Sequence, residues 1–166
     1  MKITLITGAA SGLGREFAKL YAKDNNNLLL VDINEENLKS AKNEILSNFN
    51  IAVDIMVADL ASKDELKRIY EYTKEKGYFV NNLVNSAGFG DRTDFKEMNI
   101  ERQMAMTDVD CNALLYFTRV FLDDMLKYDE GHIINISSIA GFMPGPYMCT
   151  YHACKSFVLM LGEAIA

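Results

Sequence analysis

The chain has no tryptophan, two prolines, two histidines and three cysteines in 166 residues. Cys111, Cys149 and Cys154 cannot all pair with one another and show no CxxC spacing. They read as buried thiols rather than a disulfide framework or a zinc site. His132 and His152 have no third partner at metal or triad spacing, which leaves both structural. Apolar runs such as Leu28 to Val31 are far too short to span a bilayer, so no membrane partner is expected. Basic residues are outnumbered 17 to 23, and the resulting net charge of -6 argues against general nucleic-acid binding. Met1 to Ile6 already reads as a strand rather than a charged and apolar leader, so the expectation is a cytoplasmic protein.

What is present is a composition close to the globular average, 49% apolar and 24% charged, enough for one domain with a real core over residues 1–166. Strand-like runs at Ile3 to Thr7, Asn27 to Asp32, Ile51 to Ala58, Asn82 to Ser86 and His132 to Ser137 alternate with helical stretches. The helices are expected at 12–24, 34–48, 62–76, 99–128 and 149–165. Ser62-Lys63-Asp64-Glu65 forms a capping box at the start of the third. Several strands are almost continuously apolar, as strands covered on both faces must be. Alternation of this length predicts an α/β fold: a parallel sheet with helices on both sides. The sequence stops at Glu163 to Ala166 inside a helical pattern. His132 to Ser137 would then be an exposed edge although it reads as an interior strand. The expectation is an N-terminal part of something larger, or an edge that something else covers.

Thr7-Gly8-Ala9-Ala10-Ser11-Gly12-Leu13-Gly14 follows the first strand and opens the first helix. Glycines let a backbone approach a pyrophosphate, whose charge a helix N-terminus favours. Asp32 ends the second strand, 18 residues past Gly14. A carboxylate there accepts hydrogen bonds from adenosine ribose hydroxyls and repels a 2′-phosphate, and Ser11 and Ile33 offer no cation to offset that. The same Asp32 could instead cap the next helix.

Tyr151-His152-Ala153-Cys154-Lys155 sets a phenol and an ammonium on one helix face. The cation favours a phenolate, which makes the tyrosine a usable general acid or base. Spacing alone decides little. Chance yields about 0.6 such pairs, and Tyr70 with Lys74 and Tyr72 with Lys76 repeat the pattern on a charged, amphipathic helix. Ser138 distinguishes Tyr151: it lies thirteen residues earlier at the C-terminal end of a strand, where open α/β sheets bind ligands. Met143, Tyr147, Met148 and Cys149, between the two, either wall an apolar pocket or simply pack. Pro144, Gly145 and Pro146 are loop punctuation or substrate lining.

Together these residues resemble the short-chain dehydrogenase/reductase family over essentially the whole chain. The resemblance rests on the Thr7 to Gly14 loop, on Asp32, on Asp59 with Leu60, on Asn85-Ser86-Ala87-Gly88 and on the spacing of Ser138, Tyr151 and Lys155. It implies a Rossmann-type doubly wound sheet of strand order 3-2-1-4-5, apparently truncated after the helix carrying Tyr151 and Lys155. It also implies hydride transfer between a nicotinamide cofactor and a small alcohol or carbonyl substrate. Asp32 makes NAD the expected cofactor and NADP the less favoured one. Gly8, Ser11, Gly12, Leu13 and Gly14 would cradle the cofactor, Asp59 with Leu60 would meet the adenine, and Asn85, Ala87 and Gly88 would line the cleft. Tyr151 would exchange the proton, Lys155 would hold the nicotinamide ribose, and Ser138 would orient the substrate.

The family usually carries an asparagine in a proton relay before the fifth strand. Here Asp110 falls on that position, and Asn112 stands two residues on, roughly 200° around a helix. Leu114, Leu115, Phe117, Val120, Phe121 and Met125 form a broad apolar surface. It is core, or in part the surface through which the last two long helices of the family build homodimers and homotetramers. The rival to the enzyme is a non-catalytic dinucleotide-binding module that senses redox state.

Overall fold

The computed structural model describes residues 1–166. Five strands form one parallel sheet: β1 (Lys2–Thr7), β2 (Leu28–Asp32), β3 (Val53–Val57), β4 (Phe79–Asn85) and β5 (His132–Asn135), in the order β3-β2-β1-β4-β5. The predicted order is therefore the observed one. Helices α1 (Gly12–Lys23), α2 (Glu35–Asn48), α3 (Lys63–Glu75), α5 (Leu114–Tyr128) and α6 (Cys149–Ile165) connect or follow the strands, with the short α4 (Ile100–Thr107) ahead of α5. No helix is long and apolar enough to cross a membrane.

Side-chain alternation along the strands divides the core into two layers. Leu28 and Leu30 of β2 face Ala18, Ala22, Leu38 and Ile45 of α1 and α2. Leu29 and Val31 face the other way, toward Leu66 and Ile69 of α3 and Phe117 and Phe121 of α5. Both faces of β1 and β2 are thus covered, which is why the sequence there is continuously apolar. Phe117 and Phe121 are almost completely buried, and each contributes about 1.5–3 kcal/mol by leaving water.

Helix starts follow local chemistry. The Ser62 side chain accepts from the Glu65 amide at 3.4 Å. Glu65 does not return the bond: its carboxylate pairs with Arg68, and the Ser62 amide donates to the Asp59 carbonyl oxygen, so half of the expected capping box forms. Asn34 caps α2 by accepting from Asn37, which removes Asp32 from that role.

One expected element is broken. The stretch read as a single helix over 99–128 is α4, a π-helical segment over Asp108–Ala113, and α5. A π segment absorbs an extra residue within a continuous helix. β5 pairs with β4 alone and stays half-exposed, beside an opening of about 530 Å³ lined by Leu126, Ile133 and Leu159.

Candidate active site

The C-terminal ends of β1, β2, β3, β4 and β5 open into one cleft of about 750 Å³. Gly8, Ser11, Gly12, Leu13, Asp32, Asp59, Leu60, Ala87, Gly88, Ser138, Tyr151 and Lys155 all line it. Residues spread from position 8 to position 155 are thereby brought onto a single surface.

The glycine-rich loop is held close to the start of the chain after β4. Gly8 has φ +67°, and a Cβ on it would sit 2.8 Å from the Ala87 Cα, so a side chain is excluded on two counts. Thr7 Oγ1 joins the same two segments, accepting from the Ser86 and Ala87 amides at 3.1 Å each. Ser11 is the N-cap of α1 without using its side chain there, so the first-turn amides of α1 remain free for an anion. Asp32 holds this loop from the other side: one carboxylate oxygen accepts from the Ala10 amide and the other from the Asn34 amide, both at 2.9 Å. A carboxylate has about four acceptor positions, so two remain for ribose hydroxyls. Asp59 spends one oxygen on the Ala61 amide at 3.0 Å. These groups fit a dinucleotide: free amides at a helix start, an acidic acceptor at the next strand end, and glycine where backbone must come close.

Two expected cleft residues lie elsewhere. Gly14 packs behind the loop, where a Cβ would stand 2.2 Å from the Gly8 carbonyl oxygen. Asn85 is a correction to the expectation that it lines the cleft. Its amide donates to Asn135 at 2.9 Å and to Thr118 at 3.2 Å, tying β4 to β5 and α5 beneath the site. Strand alternation explains this, since Asn85 shares the face of Leu83, which belongs to the α5 layer.

At the far end of the cleft, Tyr151 and Lys155 lie one turn apart on α6, with the Lys155 ammonium 5.6 Å from the Tyr151 ring centre. Lys155 is 6% exposed. Its ammonium donates to the Ile136 carbonyl oxygen at 3.2 Å and stands 2.9 Å from an Asp110 oxygen. Asp110, 1% exposed, accepts at its other oxygen from the Phe89 amide at 3.0 Å. Burial pushes the Asp110 carboxyl up from its ordinary range, against the opposing pull of Lys155 and the Phe89 amide. Gly88 completes this packing: a Cβ there would meet Asp110 at 2.6 Å and Lys155 at 3.1 Å. Asn112 points out and donates to Asp108 at 2.7 Å. Ser138 accepts from the Ala140 amide at 3.1 Å, which leaves its own proton free to be donated.

Residues the sequence reading did not single out also line the cleft, among them Phe89, Gly90, Arg102, Val109 and Ser137. Phe89 and Gly90 continue directly from the Gly88 motif, which was a usable signal. Arg102 gave none; the fold brings its guanidinium 4.5 Å over the Phe89 ring, paired with Asp91 at 2.9 Å. Met148 approaches the cleft through Gly90. Met143, Pro144, Pro146, Cys149 and His152 line a separate depression. Cys149 is exposed, contrary to the buried thiol expected, because it opens α6 beside that depression. His152 faces away from the cleft, with its Nδ1 2.6 Å from the Met143 carbonyl oxygen. On α5, Leu114, Phe117, Phe121 and Met125 are core, Val120 is half-buried and Leu115 is exposed.

The fold and this cleft define a dinucleotide-binding α/β protein, and comparison with known proteins narrows the class. A family model described as short chain dehydrogenase matches residues 2–166, and the chain belongs to that family. An uncharacterized oxidoreductase of Staphylococcus saprophyticus is 34% identical over 164 residues, which cover 99% of this chain and 70% of that protein. A 3-oxoacyl-acyl-carrier-protein reductase of Thermotoga maritima is 31% identical over 158 residues, 95% of this chain and 64% of its own. Among solved structures, the bulky-bulky ketone specific alcohol dehydrogenase of Comamonas testosteroni superposes with a TM-score of 0.93 at 26% identity, over 99% of this chain and 66% of that one. A short-chain dehydrogenase of Sphingobium yanoikuyae in complex with NADPH gives 0.92 at 27% identity, over 99% and 65%. The chain thus spans about two-thirds of the length of these relatives.

Proposed function

We propose that this chain is an oxidoreductase that binds NAD and exchanges a hydride and a proton with an alcohol or ketone. The observation that carries the reading is the single cleft in which the glycine-rich loop and Asp32 lie at one end and Ser138, Tyr151 and Lys155 at the other. Bound there, a nicotinamide supplies the hydride acceptor or donor. The rest falls to the chain's own residues. Tyr151 gives its phenolic proton to the substrate oxygen in reduction and takes it back in oxidation. Ser138 donates to the same oxygen and fixes its position. Lys155 has three N–H donors; one goes to the Ile136 carbonyl oxygen while the ammonium stands in an ion pair with Asp110, which leaves donor capacity for a ribose hydroxyl. The relatives' printed names, an oxidoreductase, a reductase of an acyl-carrier-protein substrate and a ketone-specific dehydrogenase, support the same reaction class. The free acceptor positions of Asp32 support NAD, since a 2′-phosphate would meet that carboxylate. Self-association would use the apolar residues that α5 and α6 leave exposed, Leu115, Phe157 and Met160.

A second reading draws on the buried Asp110–Lys155 pair, which spends part of the lysine's charge: a dinucleotide-binding module without turnover. Consumption of NADH with a panel of small ketones and diketones separates the two. For the cofactor, titration with both reduced forms should show NADH binding tighter by about tenfold to a hundredfold or more. Equal or tighter NADPH binding removes the role given to Asp32.

A further inference from the structure

The charged side chains that line the cleft are sorted along it. The acids are Asp32, which ends β2, and Asp59, which follows β3; the cations are Arg102 of α4 and Lys155 of α6. Two contacts set Arg102 at the Tyr151 end. Its guanidinium lies 4.5 Å over the Phe89 ring, and Gly90, the next residue, packs so closely on Tyr151 that a Cβ there would stand 3.2 Å from the ring carbon Cδ2. Gln103, next along α4, accepts from the Thr150 hydroxyl at 3.1 Å, directly beside Tyr151.

The two cations differ in what they have left to donate. Lys155 is enclosed and faces Asp110 and the Ile136 carbonyl oxygen. The Arg102 side chain is half-exposed, its Nε donates to Asp91 at 2.9 Å, and neither Nη bonds to any group of the chain. The Asp91 carboxylate is itself fixed, because its other oxygen accepts from the Thr93 hydroxyl at 2.7 Å. Thr93 and Arg102 together hold it below the ordinary carboxylate range. A guanidinium clamped at Nε and stacked on a ring keeps its two Nη groups side by side. That fork matches a carboxylate, which accepts from it in two parallel hydrogen bonds. No carboxylate of the chain lines this end of the cleft to meet it.

We propose that Arg102 is a specificity-determining residue that takes a carboxylate of the substrate, so that the cleft acts on an oxo acid and its hydroxy acid in preference to an uncharged ketone. The two Nη groups hold the carboxylate while Ser138 and Tyr151 hold the reacting oxygen, and the carbonyl carbon is fixed between these anchors. The substrate class rests on the proposed oxidoreductase reading; the capture of a carboxylate by Arg102 does not.

The test has one arm without turnover and one with it. The chain has five arginines, and Arg102→Lys identifies the Arg102 signal in an Nε–Hε NMR spectrum of the full chain. Pyruvate, acetoacetate and levulinate, which place the carboxylate progressively farther from the carbonyl, are titrated with and without NADH. At least one should shift the Arg102 signal selectively, and its methyl ester should not. A signal that no acid moves, five signals that move alike, or a response to inorganic phosphate and to none of the acids overturns the site. In the second arm, kcat/KM for the best acid should exceed that for its ester by about tenfold or more. Arg102→Gln should lower this ratio by about tenfold to a hundredfold, and Arg102→Lys, which keeps the charge without the fork, by less. An unchanged ratio in Arg102→Gln, or turnover of uncharged ketones with none of the acids, overturns the substrate class. A matching loss of NADH affinity in Arg102→Gln assigns the arginine to the cofactor and overturns it as well. Absence of NADH turnover with every ketone and acid counts against the oxidoreductase reading alone, because the arginine signals still decide the site.

Discussion

Three tyrosine–lysine pairs stand one helical turn apart in this chain, two on α3 and one on α6. Their ammonium-to-ring distances are nearly the same: 5.0 Å for Lys74 over Tyr70, 5.5 Å for Lys76 over Tyr72 and 5.6 Å for Lys155 over Tyr151. Local geometry therefore does not distinguish them; surroundings do. Lys74 is spent on Asp124 at the surface. The Tyr72 hydroxyl donates to Asp54 at 2.8 Å, and Tyr78 donates to the same oxygen at 2.7 Å. Lys155 is enclosed, and Tyr151 lines the cleft with its hydroxyl bonded to no group of the chain. A cation beside a phenol becomes chemistry where a fold withholds water and other partners, and becomes structure where it supplies them.

The largest expected effect tests that contrast directly. Tyr151→Phe removes the proton donor and keeps the ring, so NADH binding should persist while turnover falls by about 10²–10⁴-fold. Tyr72→Phe should leave turnover unaltered; loss of activity there and retention in Tyr151→Phe would reverse the assignment.

Next in size is Asp110→Asn. The carboxylate stands against the ammonium that the proposed mechanism sets beside Tyr151, and removing its charge would leave more of the lysine's field for the phenol. The rising limb of the oxidation pH–rate profile should move to lower pH, with turnover near neutrality held or raised. Asn112→Asp, outside the cleft, should not move it. A profile displaced by Asn112→Asp alone would exchange the roles of the two positions.

The α3 side yields a stability effect. Burial, with the Asp54 hydrogen bond, pushes Tyr72 up to about 12, and the Asp54 hydrogen bond, with burial, does the same for Tyr78. Burial alone would raise Asp54, yet the two phenols outweigh it and hold the carboxyl below its usual range. Phenols raised on folding add stability that is complete below their unfolded value near 10 and is lost as pH climbs from about 10 to about 12. Thermal melts should fall across that window, and Tyr72→Phe should both flatten the decline and cost about 0.5–1.5 kcal/mol at neutral pH. Smallest of all, Tyr70→Phe should leave turnover unchanged and stability within about 0.5 kcal/mol in thermal melts and activity assays.

Strand order, the glycine loop and the two ends of the cleft were legible because each obeys local rules: apolar continuity in Leu28 to Val31, glycine before a helix, a carboxylate at a strand end. Asn85 was legible too, had strand alternation been carried one residue past Val84. The break at Asp108–Ala113 was not, since DVDCNA holds neither glycine nor proline, and the distortion answers to what α4 and α5 must each pack against. Arg102 reaches the cleft only through the path of the chain between β4 and α4. The exposure of Cys149 likewise depends on where α6 begins.

That break carries one residue more than a regular helix over the same course would. Each residue of an α-helix advances about 100° around the axis, and a π turn takes in one residue without rotating the helix beyond it. The segment therefore lets α4 and α5 follow one helical course although the apolar pattern slips by one residue between them. Upstream, Gln103 and Met106 are buried; downstream, Leu114, Phe117 and Phe121 are buried; Asp110 between them reaches Lys155. Deleting one residue from 108–113 would return the stretch to a regular α-helix and keep the buried faces of α4 and α5 where they are. The change would fall inside the segment, on where Asp110 stands against Lys155. What the extra residue serves is that placement, not the direction of the helices on either side.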